Sequence, residues 1–280
     1  MTRVCYLNGE FVALADARVS VLDRGFIFGD AIYEVIVTCA GRLFALPQHL
    51  ARLRRSLDAV ALADPLSKED WAEMLHELVR RNGAGEHSVY VQVTRGVAER
   101  DHAMPRDIAP TVFAMTRAFT PAAQPARLKA VVHEDNRWQR CDIKSTSLLP
   151  NVLLRSAAVG VGAHEAILVR AGEVTEGAAS NVFVVKDGKV ATPPLSDWIL
   201  PGVTRDLLLD FLRGLDIAVN ETPVSAAQLR GADEIWLTST TRDIAVVETL
   251  DGRPVGAGAD YPLAARAFRD FQLFKGLHSS

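Results

Sequence analysis

Short apolar runs broken by tight turns fill the first sixty residues. Tyr6-Leu7 and Phe11-Val12 flank Asn8-Gly9, which predicts a two-residue hairpin. Residues 31–38 are apolar and β-branched, and Ala40-Gly41-Arg42 turns them back into Leu43-Phe44. The period then changes from two to 3.6. Pro47 opens a helix reaching about residue 60, with Leu50, Leu53 and Leu57 on one face and Arg52, Arg54 and Arg55 beside it. Ser67-Lys68-Glu69-Asp70 marks the start of a second helix, ending at Arg81. Strands return at 88–94 and 111–116. Between Arg117 and Ala126 the periodicity is lost and two prolines enter, as in a connector. Further strands are expected at 128–133, 165–169, 181–185, 234–238 and 244–250. Helices are expected at 152–159, at 203–215, where Val203, Leu207, Leu208, Phe211, Leu212 and Leu215 share a face, and at 262–274. Strands and helices mix without regular βαβ alternation, so the expectation is an α+β protein of two domains. A smaller α/β domain takes residues 1–117, a linker 118–126, and a larger domain 127–280. The cleft between domains is the first place to look for a ligand.

Composition narrows the functional classes. The chain has 280 residues, 49% hydrophobic and 23% charged, with 31 Lys+Arg against 34 Asp+Glu. It has material for a substantial core and lacks the basic excess of a nucleic-acid binder. The longest run without a charged residue is the ten residues 145–154, against roughly 20 for a membrane helix. The opening Met-Thr-Arg-Val-Cys carries no apolar signal stretch, so a soluble, cytoplasmic protein without membrane or nucleic-acid partners is expected. Three widely spaced cysteines, Cys5, Cys39 and Cys141, suggest neither disulfide framework nor metal motif, and the scattered histidines suggest no zinc site. Signatures of P-loop, Rossmann and α/β-hydrolase enzymes are absent.

Six of the basic residues are lysines, at 68, 129, 144, 186, 189 and 275, which limits the candidates for amine chemistry. Lys68, Lys186, Lys189 and Lys275 are expected to be solvated, and Lys129 could face either way. Lys144 stands apart in Cys141-Asp142-Ile143-Lys144-Ser145-Thr146-Ser147, before the longest charge-free run. Taken alone, such a lysine is more often structural than chemical. Glu176, in Val174-Thr175-Glu176-Gly177-Ala178-Ala179-Ser180-Asn181, taken alone reads as a turn carboxylate. Thr238-Ser239-Thr240-Thr241 ends a strand, and Pro201-Gly202-Val203-Thr204-Arg205 opens a helix. Free N–H groups at a helix start with hydroxyls nearby suit a phosphate, although each cluster alone fits simple capping.

Together these segments resemble the fold-type IV pyridoxal-phosphate enzymes, and within them the D-amino acid aminotransferases. The resemblance rests on Asp23-Arg24-Gly25-Phe26-Ile27-Phe28-Gly29-Asp30, Tyr33-Glu34-Val35, His49-Leu50-Ala51-Arg52-Leu53, Gln92-Val93-Thr94-Arg95-Gly96, Arg137 to Lys144, Thr175-Glu176-Gly177, Ser180-Asn181-Val182-Phe183, Gly202-Val203-Thr204-Arg205 and Thr238-Ser239-Thr240-Thr241. These blocks run in the family's order from about residue 6 to residue 256. The resemblance implies a cofactor, pyridoxal 5′-phosphate, in the interdomain cleft. Lys144 would be the catalytic residue, holding the cofactor as a Schiff base and moving the proton between substrate Cα and cofactor C4′. Glu176 would keep the pyridine nitrogen protonated. Arg52, the backbone at Val203 and Thr204, and Ser239 with Thr240 would bind the phosphate, and Leu200 would pack on the ring.

Glu99-Arg100-Asp101-His102 matches the family's Arg-x-His, which with a tyrosine matching Tyr33 forms a trap for the substrate carboxylate, partly across a subunit interface. The resemblance therefore implies a homodimer transferring the amino group of a D-amino acid such as D-alanine to 2-oxoglutarate in two half-reactions. Alternatives are a branched-chain L-amino acid aminotransferase, an R-amine transaminase or an aminodeoxychorismate lyase, which share the cofactor motifs without this trap, or a non-catalytic relative. Three features depart from the pattern. Ala178-Ala179 replaces a more hydroxylated stretch, and Pro150 precedes the expected helix. Asp101 puts an acid inside the trap, and alternation along an extended segment is expected to turn it away.

Overall fold

The computed structural model describes residues 3–215, 217–256 and 260–277. Met1, Thr2 and residues 278–280, the outer ends of the two expected domains, lie outside the described residues. The chain divides into two compact units. The first takes the chain up to Thr120, with Ile143–Ser147 and the chain from Lys275; the second takes Pro121–Asp142 and Leu148–Phe274. Among the described residues no helix is long and apolar enough to cross a membrane.

The first unit contains β1 (Val4–Leu7), β2 (Glu10–Ala13), α1 (Arg24–Phe28), β3 (Ala31–Cys39), β4 (Arg42–Leu43), α2 (Leu46–Ala59), α3 (Lys68–Arg81), β5 (His87–Thr94) and β6 (Thr111–Ala118). Its antiparallel sheet has the order β2-β1-β6-β5-β3-β4. Asn8 and Gly9, both at positive φ, make the hairpin turn that the sequence predicts, with Leu7 paired to Glu10. Ser67 caps α3 in a reciprocal pair with Asp70. The expected leucine face of α2 is buried, and Leu50, Leu53 and Leu57 pack with Trp71, Leu75 and Leu78 of α3 against Ile32, Ile36 and Val91 of the sheet.

The second unit carries β7 (Ala126–Glu134), α4 (Leu149–Gly160), β8 (Glu165–Arg170), β9 (Glu173–Gly177), β10 (Asn181–Lys186), β11 (Lys189–Thr192), α5 (Val203–Gly214), β12 (Val219–Glu221), α6 (Ala226–Arg230), β13 (Glu234–Ser239), β14 (Asp243–Leu250), β15 (Arg253–Pro254) and α7 (Pro262–Leu277) up to Phe274. The sheet order is β12-β11-β10-β13-β14-β7-β8-β9, with β15 on β14. The β14–β7, β7–β8 and β11–β12 pairs are parallel and the others antiparallel. The architecture is α+β, as expected.

Several local expectations need correction. Helix α4 starts at Leu149 rather than near residue 152, because Pro150 occupies the first turn, where its missing N–H costs no hydrogen bond. Glu176 lies in a buried strand rather than a turn, since β9 pairs with β8. Lys275, expected in solvent, is 5% exposed, with its Nζ 5.2 Å from the centroid of Phe44. Its ammonium faces the Phe44 ring, a cation–π contact that desolvation strengthens.

Candidate active site

Lys144 is held by strand pairing. Tyr33 N–H donates to Lys144 O at 3.0 Å, Thr146 N–H to Ala31 O at 2.9 Å, and Ser145 bridges Ile32. Residues 144–146 thereby cover the edge of β3 at its start, as β4 does at its end. Lys144 N–H donates to Ser56 Oγ of α2 at 3.2 Å. The backbone of residues 144–146 is thus tied to β3 and α2. Its Nζ stands 4.2 Å from the ring centroid of Tyr33, and Tyr33 stacks on Tyr90.

Helix α2 presents a polar stripe beside its leucines. His49, Arg52 and Ser56, spaced i, i+3 and i+7, are buried on one side, while Arg54 is exposed and paired with Asp58 on its own helix. Opposite the stripe is Glu34, which shares its face of β3 with Ile32 and Ile36. Arg52 donates from Nε to Glu34 Oε1 at 2.7 Å and from Nη2 to Oε2 at 2.8 Å, and His49 Nδ1 is 2.9 Å from Oε2. Burial drives the Glu34 carboxyl upward, but Arg52 and His49 overcome it and hold it well below the carboxylate range. Burial likewise lowers the His49 imidazole. The Glu34 carboxylate therefore stabilises the fold throughout the neutral range, and that contribution is lost only as pH falls through its depressed value. Glu34 holds Arg52 in one orientation, a role to which the sequence alone gives no pointer. On the expectation that Arg52 receives a phosphate ester, Glu34→Gln is expected to weaken that binding about tenfold, as read by titration with the ester.

Arg100 and His102 lie on an exposed loop, both against Phe28 at the end of α1. Arg100 Cζ is 5.4 Å from the ring centroid, and the His102 ring is 5.5 Å away. The segment is bent rather than extended, so alternation does not orient Asp101. Its carboxylate instead accepts from Ala103 N–H at 3.1 Å, a local turn in solvent.

In the second unit Glu176 is 5% exposed. Arg137 donates from Nη1 to Glu176 Oε1. Leu200 N–H and Asn181 Nδ2 donate to Oε2 at 3.0 and 3.2 Å. Arg137 is in turn forked onto Asp135, Nε to Oδ1 and Nη2 to Oδ2, both at 2.9 Å, and Thr175 Oγ1 donates to Asp135 at 2.8 Å. Burial pushes the Glu176 carboxyl up to about 7, against the pull of Arg137. Asp135 feels burial too, but Arg137 brings it below its ordinary value. Arg137 and Asp135 go unremarked as site residues in the sequence; they sit just beyond β7 in a bend where Arg137 N–H donates to Asp135 Oδ1.

Asn181 also donates to Leu200 O at 3.0 Å. A Cβ at Gly202 would fall 2.0 Å from Asn181 Oδ1, so only glycine fits where α5 begins. Gly202 offers α5 no side-chain cap, which leaves the N–H groups of Val203 and Thr204 without a side-chain acceptor there. Helix α5 packs on β13, whose end carries Ser239, with Thr240 in the turn beyond it. Thr238, paired with Asn181 in the sheet, buries a hydroxyl that has no partner, as does Ser180. Arg205 turns away, bonding Pro193 O and Glu221 Oε2 at 2.9 Å each. Glu176, Leu200, Val203, Thr204, Ser239 and Thr240 thus belong to the second unit, and Tyr33, Arg52, Arg100, His102 and Lys144 to the first.

The fold is that of the fold-type IV aminotransferases. The Escherichia coli branched-chain amino acid aminotransferase superposes with a TM-score of 0.90 at 26% identity, over 100% of this chain and 96% of its own. The sequence matches the amino-transferase class IV family over residues 31–250, and the chain belongs to that family. D-alanine aminotransferases are more similar in sequence. That of Staphylococcus aureus (strain MW2) is 38% identical over 98% of both chains, and that of Bacillus licheniformis 38% identical over 91% of both.

Proposed function

We propose that this aminotransferase takes the amino group from a D-amino acid such as D-alanine, passes it to 2-oxoglutarate, and uses pyridoxal 5′-phosphate. The observation that carries the reading is the end-to-end likeness to D-alanine aminotransferases at 38% identity. The branched-chain enzyme shares the fold at 26%, a likeness that reports the common scaffold more than the substrate.

The residues fit such a cofactor. Within the second unit an uncapped helix start at Gly202 and an orphan hydroxyl at Thr238 suit a phosphate monoester, and within the first Glu34 locks the Arg52 guanidinium in orientation. A carboxylate has about four acceptor sites, and Glu176 uses three, which leaves one for a ring N–H. Bound, the cofactor supplies an aldehyde that condenses with amines and a pyridinium ring that accepts the electron pair released when the Cα–H bond breaks. Lys144 would provide the amine that anchors it and would move the proton at the substrate Cα. Glu176 keeps the ring nitrogen protonated, with Arg137 favouring the ionised carboxylate. Arg52, Val203 and Thr204 N–H, Ser239 and Thr240 bind phosphate, and Leu200 lines the ring.

Tyr33, Arg100 and His102 bind the substrate carboxylate through charge-assisted hydrogen bonds, in a homodimer in the cytoplasm. The test is a half-reaction panel over both enantiomers, followed by the cofactor's absorbance. D-alanine is expected to convert the cofactor to its amine form, while L-leucine leaves it unchanged. Conversion by L-leucine alone would establish the branched-chain activity instead.

A further inference from the structure

Arg24 is 4% exposed and sits in the first turn of α1. It uses three faces of its guanidinium. Nε donates to Asp30 Oδ2 at 2.9 Å, while Nη1 donates to Asp101 O at 2.6 Å and lies 3.4 Å from Ala103 O. The plane covers Phe28, with Cζ 4.7 Å from the ring centroid. Those two carbonyls flank His102, and the same Phe28 ring carries Arg100 and His102 on its surroundings.

The anchor itself is rigid. Asp23 caps α1 by accepting from Gly25 N–H at 2.8 Å and takes the Thr94 and Thr111 hydroxyls at 3.0 and 2.6 Å. A Cβ at Gly25 would lie 2.4 Å from Thr94 Cγ2, so the turn accepts no larger residue there. Arg24 N–H donates to Gly96 O at 2.9 Å, and Arg95 Nε shares Asp30 Oδ2 at 2.8 Å. Asp23, Arg24 and Gly25 are thereby explained as one device whose outer end is the Arg100–His102 loop.

We propose that Arg24 is a positioning residue for substrate selection: it clamps the backbone on both sides of His102 and, with Phe28, fixes the loop whose Arg100 and His102 select substrates bearing an α-carboxylate. The proposal rests on the reading of Arg100 and His102 as the carboxylate trap. A lysine at this position keeps one positive charge but cannot reach Asp30 and both carbonyls at once, because its donors radiate from a single nitrogen. The loop then samples other conformations, and the carboxylate loses an oriented partner. The reacting atoms keep their machinery.

Two measurements on Arg24→Lys holoenzyme test this. Hydrogen exchange of the amides at 97–104 is expected to speed up by about tenfold or more, with the second unit unchanged. Single-turnover kinetics with D-alanine are expected to show half-saturation raised about tenfold, with the maximal rate kept within about threefold, the pattern of lost binding rather than lost chemistry. Unchanged exchange overturns the clamp. Faster exchange with unmoved half-saturation overturns its part in selection. If the wild-type holoenzyme does not react with D-alanine while Arg24→Lys still loosens the loop, the substrate reading fails and the clamp stands.

Discussion

Lys144→Ala holoenzyme is expected to lose at least about 10⁴-fold in the single-turnover rate with D-alanine, because in the proposed mechanism one amine both anchors the cofactor and moves the Cα proton. The fold is expected to survive, since alanine keeps the backbone contacts of residue 144: its carbonyl accepts from Tyr33 and its N–H reaches Ser56. The unfolding midpoint therefore shifts by the equivalent of about 1 kcal/mol or less. Lys144→Arg is the control for charge. It keeps a cation near Tyr33 but has no amine that loses its proton near neutral pH, and it is expected to be as inactive as alanine. Borohydride reduction followed by peptide mass mapping reads the attachment directly. Cofactor mass is expected on the peptide carrying residue 144. The other lysines offer one structural rival: Lys68, Lys129, Lys186 and Lys189 are exposed, whereas Lys275 is buried. Label on the Lys275 peptide would overturn the assignment.

That rivalry shows where the sequence is and is not informative. Leu50, Leu53 and Leu57 declare their face by spacing alone, because a helix buries whatever recurs every 3.6 residues. Arg52 cannot be separated in that way from Arg54 and Arg55. Its burial depends on Glu34 arriving opposite it, and that follows from the register of β3 with β5. Glu176 reads as a turn acid for the same reason: it becomes a buried strand residue only when β9 finds β8, and its partner Arg137 is 39 positions away. Lys144 stands out in the sequence because the longest charge-free run follows it. That Ile143–Ser147 packs with the first unit while its flanks belong to the second is tertiary information. Local chemistry identified the turn at Asn8-Gly9 and the cap at Ser67. The strands without a strong apolar run, β9, β11 and β12, and the short helices α1 and α6 escaped, since pairing rather than propensity specifies them.

Arg137→Met is expected to produce the largest loss of stability among these substitutions. Arg137 is the cation forked onto Asp135 and donating to Glu176, and it also donates to Trp198 O at 3.0 Å. Its removal leaves two buried carboxylates without their shared counter-charge, which costs about 3–5 kcal/mol. Thr175 and Arg170 remain near Asp135, the latter at 3.4 Å, and limit the damage on that side. Glu176 keeps only the neutral donors Asn181 and Leu200. Its carboxyl, already pushed by burial to about 7, must rise further when the opposing charge goes. The sign of the pH dependence follows. A carboxyl raised on folding is accommodated best when protonated, so stability falls as pH climbs from the ordinary carboxylate value through the raised one. Cofactor retention runs the other way, because only the ionised carboxylate can hold a protonated ring nitrogen. In Arg137→Met the pH at which half the cofactor is retained is therefore expected to move upward relative to wild type, as read by absorbance after gel filtration across pH 6–9. Adding Glu176→Gln separates the two effects. The double variant carries one buried charge fewer and is expected to regain part of the lost thermal stability without regaining cofactor affinity, a coupling that a double-mutant cycle isolates. Equal loss in the single and double variants would mean that Asp135, and not Glu176, is the carboxylate Arg137 chiefly serves.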